Sequence, residues 1–233
     1  MSNSVSATTQ ADDHRASKQT RRKFNSFRDY YLGTIFRPRE TFDALMADER
    51  RNRYGIIAIA ITVQLYVLLY LFLSLGETAF SILKPWLTLP AASFHHYNDF
   101  FLAPSLFICW ILAAGVAQLF SRACSGRGSF EDMLSVLGFG ISIASLPALL
   151  IDLPESALGA MGIVDVRSVE AALSSQTIWH EAAMLLYGLS ITWCVVLFCI
   201  GIGAGQRIRR APAVIVGLFA YFIYQVVLMM FNR

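Results

Sequence analysis

The chain has 233 residues, of which 56% are hydrophobic and only 15% charged, and its formal net charge is +3. Soluble domains of this size usually carry about 25% charged residues, so the composition argues against a water-soluble globular protein. None of the four cysteines has metal-ligand spacing, and Cys109, Cys194 and Cys199 lie inside apolar runs. We interpret all four, including Cys124, as small packing residues.

Residues 1–23 are rich in Ser, Thr, Gln and charged side chains and contain almost no large apolar residue. Such a segment buries too little apolar surface to fold alone, so we expect a disordered tail. The tail contains a cluster of four basic residues, Lys18, Arg21, Arg22 and Lys23. This cluster could act as a topology signal, or it could contact anionic lipid headgroups. We expect no cleavable signal peptide, because the first apolar run is longer than a typical signal h-region.

Residues 24–47 carry aromatic and aliphatic side chains at helical spacing, with charged residues between them. Pro38 suits the first turn of a helix, because its missing N–H would have no partner there. The pattern predicts two short amphipathic helices that meet near Arg37 and Pro38. We expect their aromatic face to lie among acyl chains in the membrane interface; the alternative is a docking surface for a soluble partner.

Five runs of 19 to 24 residues contain no Asp, Glu, Lys or Arg. A helix of about 20 residues crosses the ~30 Å hydrocarbon core, and lipid requires backbone groups to pair within each segment. The predicted fold class is therefore all-α, a polytopic membrane protein with five transmembrane helices plus the N-terminal amphipathic helices. The spans are predicted at about residues 55–75, 101–120, 131–151, 182–205 and 211–231, within a membrane domain of residues 24–233.

The basic residues are distributed unevenly between the two sides of these spans. Sixteen of the nineteen precede the first span or lie in the second-to-third and fourth-to-fifth connections. Only Lys84, Arg167 and Arg233 fall on the other side. The positive-inside rule therefore predicts a cytoplasmic amino terminus and an outside carboxyl terminus.

Several local motifs predict how the spans begin, end and pack. Ser129 and Asp132 resemble a capping box that opens the third span, after a turn supplied by Gly126 and Gly128. Pro147 is expected to kink or unwind that span near its outer end. The chain is then expected to leave the span at Asp152, Pro154 and Glu155.

Small residues indicate close helix contacts. Gly138 and Gly140 allow a neighbouring backbone to approach the third span. The fourth and fifth spans are joined by a tight turn, so they should form an antiparallel hairpin packed through Gly201, Gly205 and Gly217. The same small-xxx-small spacing also suggests dimerisation.

Several of these features together resemble the bacterial branch of the Yip1 domain family. The resemblance rests on residues 35–42 (Ile-Phe-Arg-Pro-Arg-Glu-Thr-Phe), residues 126–138 and the five-span layout, and it covers about residues 31–231. It implies a five-helix integral membrane protein in the bacterial plasma (inner) membrane. Eukaryotic members are associated with Golgi and ER membranes and bind Rab-type GTPases. Their Asp-Leu-Tyr-Gly-Pro signature has no counterpart in this chain, so GTPase binding is not carried over.

Three functions are compatible with the sequence. The first is a non-catalytic protein that organises or regulates membrane components, because the predicted spans lack ionisable residues and contain Gln64, Gln118 and Gln225 for interhelical hydrogen bonds. The second is a small transporter or channel for a neutral or lipid-like solute, in which Pro104 and Pro147 would break helices. Under either function, the expected partners of the protein are the lipid bilayer and a second copy of the chain or other membrane proteins.

The third function, a membrane-embedded enzyme, finds little support. No catalytic, cofactor or metal motif is present. The compact set Trp179, His180 and Glu181 is interpreted as an anchor where the fourth span enters lipid, and the adjacent His95 and His96 lack further ligands. We therefore predict no enzyme activity, no cofactor and no nucleic-acid partner, and the sequence identifies no small-molecule substrate.

Overall fold

The computed structural model describes residues 24–75, 94–164 and 178–231. Within these ranges the chain forms seven α-helices and no strand, which confirms the predicted all-α class. Five of the helices, α3 to α7, are long and apolar enough to cross a membrane. The helices are α1 Phe27–Phe36, α2 Pro38–Met46, α3 Arg51–Leu75, α4 Phe94–Ala123, α5 Phe130–Ala160, α6 Ile178–Gln206 and α7 Arg210–Phe231. The tail at residues 1–23 and the outside loop with Lys84 lie outside the described residues.

The two short helices α1 and α2 meet at Arg37, as the sequence predicts. Helix α1 begins with a capping box, in which Ser26 Oγ accepts from the Asp29 N–H and the Asp29 carboxylate accepts from the Ser26 N–H. Pro38 occupies the first turn of α2, where its missing N–H needs no partner. Local sequence signals alone therefore account for both helices.

The apolar face of this helix pair packs on protein rather than on acyl chains, so that expectation was wrong. Phe42 and Leu45 are completely buried. Helix α1 packs against α5 and α2 packs against α6, and the Tyr31 hydroxyl lies 2.9 Å from Ser142 Oγ of α5. A protein surface can offer the tyrosine a hydrogen-bond partner, which hydrocarbon cannot, and this favours docking on the bundle.

Helix α5 is the central helix of the bundle. It packs most extensively against α3 and α6, and also against α4 and α1. In its most apolar window 72% of the residues are buried, compared with 28–44% in the other four long helices. Helix α7 packs against α4 and α6 on the far side. A helix that is apolar on every side, as α5 is, suits this enclosed position.

Close approach at Gly138 and Gly140 is confirmed. A Cβ atom at Gly138 would lie 2.6 Å from the carbonyl oxygen of Gly55 in α3, and one at Gly140 would lie 3.3 Å from the Phe198 ring in α6. Helix α5 therefore contacts one neighbour through backbone and the other through an aromatic side chain.

The glycines of the α6–α7 hairpin do not all serve the hairpin. Gly217 does, since a Cβ there would lie 2.9 Å from the Cα atom of Cys199. Gly201 and Gly205 instead face Val136 and Met133 of α5. Their expected role in packing α6 on α7 was therefore wrong for these two positions, because the central helix occupies that side of α6.

Helix α5 does not end where the sequence predicts. It continues through Pro147, Pro154 and the acidic residues near them to Ala160, so neither unwinding at Pro147 nor an exit at Asp152 occurs. Helix α4 likewise continues through Pro104. The Ala148 N–H, next to Pro147, donates to Ser190 Oγ of α6 at 3.1 Å. A neighbouring helix thus supplies a hydrogen-bond partner beside the proline.

We expect Gly138→Ala to lower the thermal stability of the purified protein in detergent. The added methyl group would fall 2.6 Å from the Gly55 carbonyl oxygen, so α3 and α5 must separate. Overpacking of this kind costs roughly 1–3 kcal/mol. Thermal unfolding followed by circular dichroism measures the loss.

Gly115→Ala is the matched control for this substitution. Gly115 also lies within a long helix, but nothing lies within 4 Å of its Cβ position. Since alanine favours helices over glycine by about 1 kcal/mol, the control should keep or gain stability. Equal Tm values for Gly138→Ala and the unchanged protein would contradict the close contact between α3 and α5.

Candidate functional site

The polar side chains of the bundle gather at its two ends. We call one end the arginine-rich end; there α3, α5 and α7 begin, at Arg51, Phe130 and Arg210, and α4 and α6 finish. The other is called the opposite end. The sequence predicts no catalytic or metal residue, so the candidate site is built from these two polar regions.

At the arginine-rich end, an ion pair joins the start of α3 to the start of α5. Arg51 Nε lies 2.6 Å from Asp132 Oδ1, and both side chains are largely buried. Beside it Asn52 Nδ2 donates to Glu131 Oε2 at 2.9 Å, and Ser135 Oγ donates to Asn52 Oδ1 at 3.1 Å. One ion pair and two hydrogen bonds of the Asn52 side chain thus hold these helix starts together over the Gly55–Gly138 approach.

The predicted capping box at Ser129 is confirmed. Ser129 Oγ accepts from the Asp132 N–H at 3.1 Å, and Asp132 Oδ2 accepts from the Ser129 N–H at 2.8 Å. Asp132 therefore caps α5 with one oxygen and pairs with Arg51 through the other. The cap could be predicted from local spacing, whereas the ion pair joins residues 81 positions apart and has no local signal.

A second junction joins the α4–α5 loop to the α6–α7 turn. The Gln206 side-chain amide donates to Gln118 Oε1, and Gln118 Nε2 donates to the Gly128 carbonyl at 3.0 Å. The Arg127 N–H donates to the Gln206 carbonyl at 3.0 Å. A Cβ at Gly128 would lie 2.0 Å from the Gly205 carbonyl oxygen, so this contact requires glycine. The two loops form one structure.

The three glutamines expected to link helices behave differently. Gln118 does so, as described. Gln225 donates to the Tyr221 hydroxyl of its own helix, and Gln64 is exposed on α3. The expectation was therefore correct for one of the three.

The helix pair is linked to α3 through Asp48. The Tyr30 hydroxyl donates to Asp48 Oδ2 at 3.1 Å, and Arg50 Nε donates to Asp48 Oδ1 at 3.3 Å. Burial raises the pKa of Asp48. Hydrogen bonds from the Arg50 side chain and backbone and from Tyr30 lower it, and together they outweigh burial, so the pKa of Asp48 lies below its usual value. Burial, followed by the charge of Asp48, raises the pKa of Tyr30.

At the opposite end, a carboxylate of α5 meets a tyrosine of α6. The Tyr187 hydroxyl donates to Asp152 Oδ1 at 2.5 Å. Asp152 lies about 33 Å along α5 from the start of that helix. Since the hydrocarbon core is ~30 Å thick, Asp152 is near its boundary. Sequence reasoning missed this contact because it ended the third span one residue earlier.

The remaining residues singled out in the sequence lie near helix starts. His180 and Glu181 are in the first turn of α6, and His95 and His96 are in the first turn of α4 rather than in a loop. The side chains of residues 94–99 and of Trp179 are outside the description. Among the described residues, no three His, Cys, Asp or Glu side chains converge on a possible metal position.

These observations define the class of the protein, a polytopic all-α membrane protein whose five long helices are joined at one end to a docked helix pair. The family model of the Yip1 domain matches residues 32–231, from within α1 to the end of α7. The chain belongs to the Yip1 domain family. Comparison with curated proteins and with solved structures gives no match.

We expect Arg51→Gln and Asp132→Asn each to reduce stability by roughly 1–3 kcal/mol, since each leaves a largely buried charge without its partner. The double variant should lose less than the sum of the two, because residues in contact are coupled. Thermal unfolding in detergent measures all three variants. Arg53→Gln, at an exposed position of the same turn, is the control and should change little. Additive losses would contradict the ion pair.

Acid is expected to loosen the helix pair. The pKa of Asp48 is lowered in the folded protein, so its contribution to stability is present above its unfolded value near 4 and is lost as pH falls through the folded value. Asp29, whose pKa is lowered first by the Asn25 backbone N–H, acts in the same direction.

Hydrogen exchange of α1 and α2 measures this effect. Exchange, corrected for its intrinsic pH dependence, should rise in these helices between pH 6 and pH 3 and less in the centre of α5. Asp48→Asn should reduce the difference between the two pH values. An unchanged difference in that variant would show that Asp48 is not the titrating group.

Proposed function

We propose that the protein is a non-catalytic membrane protein that organises or regulates other membrane components through protein or lipid contacts. The observation that carries the proposal is the arginine-rich end, where the helix pair, two loops and the starts of α3 and α5 are joined by hydrogen bonds. Such a joined surface keeps its shape while a partner binds, which limits the ordering cost of association. The proposal assigns no catalytic, cofactor or metal residue to the chain.

The proposed location is a bacterial inner membrane, with the arginine-rich end in the cytoplasm. Exposed arginines at this end, such as Arg53, Arg127 and Arg209, support that orientation through the positive-inside rule. Reporter fusions after Ser125 and Ile208 should report a cytoplasmic position, and a fusion at the carboxyl terminus a periplasmic one. A cytoplasmic carboxyl terminus would contradict the orientation.

The outer face of α1 is the proposed contact with another membrane protein or a second copy of the chain. Leu32 and Phe36 are four residues apart and expose 43% and 78% of their surface, although they belong to a helix whose other face is docked. Side chains at this spacing lie on one helix face, which suits an apolar contact.

Crosslinked pull-down from native membranes tests this contact. We expect Leu32→Ala/Phe36→Ala to lose most of the partner that the unchanged protein captures. Leu71→Ala/Leu75→Ala is the matched control, because it removes two exposed apolar side chains with the same spacing from α3. Equal capture by both double variants would exclude the α1 face as the contact.

One observation favours the second candidate, a small transporter or channel for a neutral or lipid-like solute. The Asp152–Tyr187 hydrogen bond places a carboxylate between α5 and α6 near the membrane boundary, and such groups often mark solute paths. In vesicles reconstituted with the purified protein, Asp152→Asn should slow solute or lipid movement relative to the unchanged protein. If no member of a panel of solutes and lipids moves in either case, this candidate is rejected.

A further inference from the structure

Four exposed arginines lie on or directly beside the two joined loops of the arginine-rich end. Arg127 belongs to the α4–α5 loop, Arg207 and Arg209 to the α6–α7 turn, and Arg210 is the first residue of α7. The hydrogen bond from the Arg127 N–H to the Gln206 carbonyl brings the two loops into contact beside Arg207. We call these four residues the arginine cluster.

The charge of this cluster is not compensated by ion pairs in the described part of the chain. The nearest acids in the sequence are engaged elsewhere, Glu131 with Asn52 and Asp132 with Arg51. None of the salt bridges between described residues includes a member of the cluster. The cluster therefore presents four positive charges on a fixed backbone.

The backbone at Arg207 is unusual. Its φ angle is 55°, in the left-handed region, directly after the last residue of α6. Helices commonly end with a residue in this conformation, and glycine is the usual choice because a side chain there is strained. An arginine at this position carries a conformational cost that glycine would avoid, and the surrounding hydrogen-bonded turn holds it there.

A membrane-spanning α7 would place the cluster at the level of lipid headgroups. Helix α7 has 22 residues and begins at Arg210, so it spans about 33 Å, close to the ~30 Å hydrocarbon core. Exposed apolar side chains line α4 and α7 on the membrane side of the cluster, with Phe120 three residues before the end of α4 and Phe219 nine residues after the start of α7. The Phe120 and Phe219 rings lie 4.6 Å apart between these helices, and 71% of the neighbouring Leu119 is exposed.

We propose that the arginine cluster binds the phosphate of an anionic phospholipid, with the acyl chains along α4 and α7 beside Phe120 and Phe219. The planar guanidinium group donates two parallel hydrogen bonds to phosphate oxygens, and basic pockets beside spanning helices are suited to such headgroups. Lipid binding at this site requires only the purified chain, so it can be tested independently of any protein partner.

The test measures the Tm of the full chain, purified in a neutral detergent, as phosphatidylglycerol is added. A ligand that binds only the folded protein raises Tm with its concentration, which yields an apparent Kd. Phosphatidylglycerol should raise the Tm, and phosphatidylcholine and inorganic phosphate should have little effect. The apparent Kd of Arg207→Gly/Arg209→Gln/Arg210→Gln should rise at least about tenfold, since three charge contacts are lost.

Two further variants separate binding from folding and from net charge. Arg207→Gly alone should keep or raise the Tm without lipid, because glycine suits the left-handed position, yet it should weaken the response to phosphatidylglycerol. Arg28→Gln/Arg39→Gln/Arg53→Gln removes three exposed arginines of the same end outside the cluster and should respond like the unchanged protein.

Three results would overturn the proposal. An equal loss of response in the Arg28, Arg39 and Arg53 variant would mean that net charge alone attracts the lipid. An equal response to phosphatidylcholine would mean that only acyl chains bind. An equal response to inorganic phosphate would mean a site for free anions rather than for lipid.

Discussion

The contact between α3 and α5 is the constraint on which the rest of the structure depends. It combines backbone approach at Gly55 and Gly138 with the ion pair between Arg51 and Asp132 one to two turns away. In lipid there is no hydrophobic drive between helices, so close packing and polar contacts must hold them together. This seam has both, and it places α5 where α6, α4 and the helix pair can all reach it.

The helix pair follows from this arrangement. Because α3 and α5 lie close together, the aromatic rings of α1 find partners on both: Phe27 packs against Tyr54 of α3 and Phe139 of α5, at centroid distances of 6.0 and 5.7 Å. Tyr30 and Tyr31 then add hydrogen bonds to Asp48 and Ser142. Amphipathic helices that alone would lie in the membrane interface thus become part of the protein surface.

The sequence predicts most of the fold and little of the polar architecture. Five spans, the helix pair and the cap at Ser129 depend on local spacing, which one sequence records. The contacts of Asp152 with Tyr187 and of Arg51 with Asp132 join residues 35 and 81 positions apart, so no local pattern reports them. The same limit explains the wrong end predicted for α5. Acidic residues near a proline usually indicate that the chain leaves the membrane, but α6 supplies hydrogen-bond partners that allow α5 to continue.

The polar contacts also explain why the loops of the arginine-rich end hold a definite shape. Gln206 is completely buried and Gln118 is partly buried, so the two side chains bond to each other, and Gln118 also donates to the Gly128 carbonyl. Because Gly128 has no side chain, the α4–α5 loop can approach the α6–α7 turn closely. The Arg127 N–H then donates a hydrogen bond to that turn. These hydrogen bonds among Gln118, Gln206 and Gly128 fix the backbone beneath the exposed charges. Helix packing in the membrane thus determines the surface presented to lipid headgroups and partner proteins.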